Sequence, residues 1–155
     1  MTIEALTHET AQEYRHEIAR FYYDNMLTCS CLGHYTYDQA YEKIGDLIAH
    51  LETHTCICYG AFENDEIIAY IWAYPHPFRE ETRMYVNELH VREHFRGRGI
   101  GTALLNRVEA WAKEAGFPAL YLHAEAGNPD AVRFYESTGF IPERIQFRKD
   151  IVARL

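Results

Sequence analysis

Apolar residues recur at helical spacing through the first fifty positions. Tyr14, Ile18, Phe21 and Tyr22 share one face. Thr10-Ala-Gln-Glu13 ahead of them has the form of a capping box, which predicts a first helix. After a loop holding Thr28 to Tyr37, Asp38 is placed to cap a second helix, whose stripe is Tyr41, Ile44, Leu47, Ile48 and Leu51. The period then shortens. Cys56 to Phe62 and Glu66 to Tyr74 flank the turn signal Glu63-Asn-Asp65 and predict a hairpin, with Pro75 and Pro77 stopping its second strand. Thr82 to Val91 predicts a third strand, because Met84, Val86 and Leu89 are apolar and no helix cap precedes them.

Beyond Val91 the pattern alternates. Thr102 to Ala115 predicts a helix burying Leu104, Leu105, Val108, Trp111 and Ala112, ended by Gly116 and Pro118. Ala119 to Ala126 predicts a strand. Asn128-Pro129 is a cap followed by a first-turn proline and opens a helix from Pro129 to Thr138, which Gly139 closes. Ile145 to Ile151 is expected to return as a last strand. The order helix, helix, three strands, helix, strand, helix, strand describes one mixed α/β domain over residues 1–155. No repeat, low-complexity segment or linker divides it.

Composition narrows the partners. A chain of 155 residues, 48% hydrophobic and 25% charged, can bury a sizeable core as one soluble domain. A net charge of −8 argues against a nucleic-acid surface and suits a cationic small molecule or a basic peptide end. No apolar run approaches the roughly 20 residues a bilayer requires, and MTIEALTHET lacks a signal-peptide pattern. The expectation is a cytoplasmic protein with no membrane partner. Its cysteines, Cys29, Cys31, Cys56 and Cys58, are then expected to be reduced. Cys29 and Cys31 with His34 could be read as three metal ligands, but no Cys-x-x-Cys pair supports a site and no metal is expected. Cys56 and Cys58 read as neighbours on one strand face.

The densest chemical signal is Arg96-Gly-Arg-Gly-Ile-Gly101, lying between a strand that ends near Val91 and a helix that starts near Ile100. Unpaired N–H groups in such a turn, together with the positive end of the helix dipole, suit an anion such as pyrophosphate. Glycines at 97, 99 and 101 admit oxygens close to the main chain, and Arg92, Arg96 and Arg98 add charge at the rim. The spacing excludes the triphosphate loop Gly-x-x-x-x-Gly-Lys-Ser/Thr, and it differs from the Gly-x-Gly-x-x-Gly dinucleotide turn.

Leu89-His-Val91 followed by Arg96-Gly-Arg-Gly-Ile-Gly101 and Thr-Ala-Leu-Leu resembles the acyl-CoA motif of the GNAT N-acetyltransferase superfamily, Gln/Arg-x-x-Gly-x-Gly/Ala. A second block agrees: Leu120-Tyr-Leu-His-Ala124, Asn128, then Ala131-Val-Arg-Phe-Tyr135-Glu-Ser-Thr-Gly-Phe140 is similar to the family's strand, asparagine and closing helix. The likeness covers roughly residues 54 to 150. The first 53 correspond to the family's variable acceptor-side region only in being two helices. Arg92-Glu93 departs from the proline that many members carry after the valine.

The resemblance implies a central twisted mixed sheet flanked by helices, with the two N-terminal helices on the acceptor side. It also implies acetyl-CoA as the acyl-donor substrate and a primary amine of a small molecule or peptide as acceptor. Arg96, Gly97, Arg98, Gly99, Ile100, Gly101 and Thr102 would take the pyrophosphate. Leu89, His90 and Val91, with Asn128, would meet the pantetheine arm, and a backbone N–H near Val91 would stabilise the oxyanion. Tyr135 would protonate the departing thiolate, so no nucleophilic cysteine is required. For the base, Glu88 and His90 share a strand face and both are candidates, with a bound water as the third. Asn128 is a helix cap on local grounds as well.

The aromatic residues read first as packing. Phe21, Tyr22, Tyr23, Tyr35, Tyr37 and Tyr41, with Trp72, Tyr74, His76 and Phe78, could also wall an acceptor pocket, with Glu80 and Glu81 at its mouth. His123 and Glu125 read as surface groups. A non-catalytic acyl-CoA sensor is the alternative from another class, and a metal-dependent hydrolase using the histidines is a third. Many members form homodimers, and nothing in the sequence reports an interface.

Overall fold

A computed structural model describes residues 1–28 and 33–152. The chain divides into two compact units, Met1–His123 and Ala124–Leu155. Cys29 and Cys31, which could be read as metal ligands although no metal is expected, lie outside the described residues. Among those described, no helix is long and apolar enough to cross a membrane.

The first unit is a five-stranded sheet in the order β1-β2-β3-β4-β5 with helices on both faces. The fold is mixed α/β, as the sequence patterns imply. Strand β1, Thr2–Ala5, was not anticipated; it is four residues long and pairs with the edge of β2, Ile57–Glu63. Helix α1, His8–Glu13, is capped by Thr7 with Thr10 and not by Thr10 with Glu13. The Thr7 Oγ1 accepts from the Thr10 N–H at 3.3 Å while the Thr10 hydroxyl accepts from the Thr7 N–H at 2.8 Å. The hydroxyl at position 10 is therefore already engaged inside α1. The helix breaks at Tyr14, and α2 runs over Arg15–Leu27.

Thr36 replaces Asp38 as the cap of α3, Tyr37–Glu52, because Thr36 and Gln39 close a reciprocal box. Asp38 falls in the first turn, where its charge favours the dipole. Ile18, Phe21, Ile44 and Leu47 from α2 and α3 then pack on Tyr70, Trp72 and Cys58. Each such aliphatic residue, fully buried, contributes about 2 kcal/mol. Cys56 and Cys58 are both in this core, and burial pushes the Cys56 thiol up to about 11.

Strand β3 runs over Glu66–Phe78, so Pro75 and Pro77 do not stop it. Their tolerance follows from the register. Pro75 stands opposite Met84 of β4, Glu81–Val91, and the Met84 N–H bonds Ala119 on the far side. Pro75 therefore occupies a position that makes no ladder bond to β4. Pro77, two residues on, has the same parity, and β2 stops pairing with β3 at Ala73. Neither missing N–H costs a hydrogen bond. The β2–β3 hairpin turns at Asn64 and Asp65, both with positive φ (52° and 62°), as a two-residue turn of the kind the sequence signalled.

Helix α4, Ile100–Glu114, begins at Ile100, where the glycine turn placed it and two residues ahead of the Thr102 given by the apolar pattern, and buries Ile100, Leu104, Leu105, Val108 and Ala112 against the strands. Strand β5 is only Leu120–Tyr121, parallel to β4, where Ala119 to Ala126 was expected.

The second unit contains α5, Pro129–Ser137, closed by Gly139 at φ 95°. The expected strand from Ile145 to Ile151 is absent from the described residues, and Phe147 is 89% exposed. Alternating apolar residues make a strand only when a neighbouring ladder takes their backbone groups, and no described strand pairs with this segment.

Candidate functional site

β4 and β5 pair only through Met84–Leu120 and Tyr85–Tyr121. Beyond Tyr85, β4 continues for six residues with β3 alone. Which of its backbone groups are left over follows from one bond: the Arg92 N–H donates to the Ile68 carbonyl, toward β3. By alternation, residues 88 and 90 also point to β3, and Leu89 and Val91 point away. The carbonyls confirm the direction, since Leu89 accepts from Asn25 and Val91 from the Arg96 Nε at 2.9 Å. The N–H groups of Leu89 and Val91 thus line an edge of β4 that β5 has left.

The chain then enters a short 3-10 turn, Glu93–Phe95, and the glycine loop. Gly97 and Gly99 have φ of 74° and 75°, and Gly99 caps α4 without a side chain. A Cβ at either would meet no atom of the described residues within 4 Å. The left-handed backbone, not crowding by the protein, is what requires glycine here. The first intrahelical bond is Ala103 N–H to the Gly99 carbonyl at 3.0 Å. The N–H groups of Ile100, Gly101 and Thr102 therefore have no helical acceptor. Of the rim arginines, Arg92 pairs with Glu66 and Arg98 with Glu63, both exposed contacts that offset their charge. Arg96 forms no ion pair among the described residues. This set of N–H donors at a helix N-terminus fits a pyrophosphate.

On the sheet face toward α2, Glu88 stands opposite Trp72, and Val86 opposite Ala73, so Asn87 is bulged out between them. Glu88 is 8% exposed and His90 5%. Burial, opposed by a hydrogen bond from Asn25, raises the Glu88 carboxyl to about 8. Burial, helped by the charges of Arg96 and Arg92, lowers His90 to about 4. The Asn25 side chain reaches from α2 to both, donating to Glu88 and lying 2.9 Å from the His90 Nδ1. Phe21, one turn earlier, stacks on the His90 ring at 4.8 Å and 11°.

The same face carries aromatic rings in register across three strands: Tyr74 against Tyr85 at 5.4 Å and Tyr85 against Tyr121 at 5.0 Å. His76 and His123 flank them. An open pocket of about 800 Å³ lies between α2 and the end of β4, lined by Arg20, Phe21, Asp24, His90 and Arg96 among others. Glu81 does not stand free at a pocket mouth, because it is ion-paired with Arg83.

In the second unit, Asn128 caps α5, its Oδ1 accepting from the Ala131 N–H at 3.2 Å. Tyr135 lies on that helix with its ring against Phe134 (5.2 Å) and Phe140 (5.7 Å).

The profile of the acetyltransferase (GNAT) family matches residues 11–140. The chain belongs to that family. It is accordingly an enzyme, an acetyl-CoA-dependent acyltransferase. An uncharacterized N-acetyltransferase of Bacillus subtilis, YdgE, is 25% identical over 97% of this chain and 98% of its own length. A solved putative acetyl transferase from Pyrococcus furiosus is 25% identical, with a TM-score of 0.74, covering 97% of this chain and 100% of that one. The aminoglycoside N-acetyltransferase AAC(6')-Iy, solved in complex with CoA, shares the fold at a TM-score of 0.74 and 16% identity, covering 97% and 95% of the two chains.

Within this family member, the β4 edge brings Leu89, His90 and Val91 into sequence with the Arg96–Thr102 loop, all in one unit, whereas Asn128 and Tyr135 belong to the other. Asn25 is the residue that sequence reasoning missed. A signal for it exists: it extends the stripe of Ile18 and Phe21 by further turns, so a polar side chain occupies an apolar position of α2.

Proposed function

We propose that the protein transfers the acetyl group of acetyl-CoA to a primary amine by direct attack of the amine on the thioester. The observation that carries this reading is the glycine loop that caps α4 with unpartnered N–H groups, next to a β4 edge that has lost its neighbour. In this reading the loop from Arg96 to Thr102 binds the pyrophosphate. The main-chain groups of Leu89 and Val91, with Asn128, meet the amides of the pantetheine arm and fix its depth. The β4 N–H near the thioester carbonyl supports the oxyanion, usually the largest electrostatic contribution to acyl transfer.

Two proton movements remain. Glu88 takes a proton from the attacking ammonium, directly or through a water, since its affinity near pH 8 suits a base working close to neutrality. Tyr135 returns a proton to the departing thiolate. The acceptor is a small amine whose amino group reaches Glu88 and His90 while its body extends over Tyr74, Tyr85 and Tyr121, rings that favour a cation over their faces. The AAC(6')-Iy neighbour, an aminoglycoside acetyltransferase by name, agrees with a small-molecule amine.

Trapping free CoA while acetyl-CoA is offered to a panel of polyamines, aminoglycosides, aryl amines and amino-terminal peptides tests the reading. Thiol release with one class of amine is expected. CoA binding by calorimetry without release across the panel would make the protein a sensor instead.

A further inference from the structure

Helix α2 holds His90 by two side chains one turn apart. Phe21 lies flat against the ring and sets its plane, and Asn25 meets one edge. The direction of the Asn25 amide is determined by its partners. Its Nδ2 is 3.2 Å from the Leu89 carbonyl oxygen, which can only accept, and also donates to the Glu88 carboxyl. Reversing the amide would set two acceptor oxygens against each other. The Oδ1 therefore faces the His90 Nδ1, and a bond between them requires the proton to sit on Nδ1. That leaves Nε2 with its lone pair, on a ring that lines the 800 Å³ pocket. Among the described residues Nε2 takes no hydrogen bond.

We infer that Asn25 is a positioning residue that locks His90 in the Nδ1–H tautomer, so that Nε2 is presented to the pocket as an acceptor for the incoming amine. The amine's identity as the partner rests on the acetyl-transfer reading above; the tautomer does not. By the same amide, Asn25 holds Glu88, so one side chain sets the orientation of both polar groups on this face of β4. The groups acting on them are the tyrosines at 35, 70 and 85 around Glu88, and Arg92 and Arg96 near His90. A neutral ring with a bare Nε2 is also what the buried site favours at neutral pH.

Nitrogen NMR of protein labelled in histidine distinguishes the two tautomers without any substrate. Wild type is expected to show the Nδ1–H pattern at pH 7. Asn25→Ala, which keeps a good helix former on α2, is expected to lose that pattern and move toward Nε2–H. Asn25→Asp keeps an acceptor for the Nδ1 proton and is expected to restore it, while its charge raises the Glu88 pKa read from carboxyl carbon shifts. In the thiol-release assay, Asn25→Ala should raise KM for the amine about tenfold, the size of one lost hydrogen bond, with KM for acetyl-CoA unchanged. An Nε2–H pattern in wild type, or an unchanged pattern in Asn25→Ala, would overturn the inference. No thiol release by wild type would overturn the acetyl-transfer reading, and the NMR result would still decide the role of Asn25.

Discussion

Glu88 and His90 stand two residues apart on one face of β4, and burial moves their proton affinities in opposite directions, Glu88 to about 8 and His90 to about 4. Each favours its neutral form, and each therefore ties folding stability to pH. The raised Glu88 contributes fully below its ordinary value of 4.5 and loses that contribution as the pH rises through about 8. The lowered His90 contributes fully above 6.5 and loses it as the pH falls through about 4. Between those ordinary values the two slopes oppose each other. From pH 6.5 to 8 Glu88 acts alone, and the fold should lose about 2 kcal/mol, at 1.36 kcal/mol for each pH unit. Urea unfolding at pH 6, 7 and 8 checks this against Glu88→Gln, which should remove the slope. Parallel curves for the two proteins would show that Glu88 is not held neutral.

The same proton affinity predicts the rate. With an acceptor whose own ammonium titrates outside the window, kcat/KM should rise up to about pH 8 and then level. Glu88→Gln should flatten the profile and lower the plateau by about 10²-fold or more, the range of general-base catalysis. A profile already level from pH 5 upward would assign the proton to His90, whose affinity near 4 leaves it neutral throughout.

These carboxyl and imidazole positions were legible in the sequence because strand alternation needs no tertiary information: residues 88 and 90 share a face wherever the strand goes. The glycine loop was legible for the same local reason, since positive φ at 97 and 99 is a property of the turn itself. What was not legible depended on partners distant in sequence. Pro75 reads as a stop, yet it sits inside β3 because Met84 directs its N–H to Ala119 and needs nothing from position 75. Asn25 is 63 residues from Glu88, and only the packing of α2 on β4 brings the amide to the carboxyl. The last expected strand failed in the reverse sense, its alternation being present without a described ladder to receive it.

The loop makes a prediction that separates binding from folding. Gly99→Ala must hold alanine at a φ of 75°, which costs about 1 to 2 kcal/mol, and its methyl group meets no atom of the described residues within 4 Å. The melting temperature should fall by roughly 2–8 °C, while the fold survives. Gly33→Ala, where the glycine has no positive φ and no neighbour within 4 Å among the described residues, is the control and should leave melting unchanged. CoA affinity, followed by calorimetry, should drop at least tenfold in Gly99→Ala and stay constant in the control. Equal affinity in both would remove the loop from the binding site.

Tyr135 offers the sharpest separation of packing from chemistry. Its ring meets Phe134 and Phe140, and a phenylalanine keeps both contacts while removing only the hydroxyl. If the phenol supplies the proton to the thiolate, Tyr135→Phe should lower kcat about 10²-fold, at the modest end of general-acid effects, with KM for acetyl-CoA unchanged. Tyr135→Ala should lose the same factor in rate and destabilise the helix end as well, through its contacts with Phe134 and Phe140. A leaving group that is already acidic needs less help, so an acetyl thioester of a low-pKa aryl thiol should narrow the gap between wild type and Tyr135→Phe. A Tyr135→Phe enzyme with the full rate on acetyl-CoA would mean that water carries the proton and that Tyr135 is there for its ring.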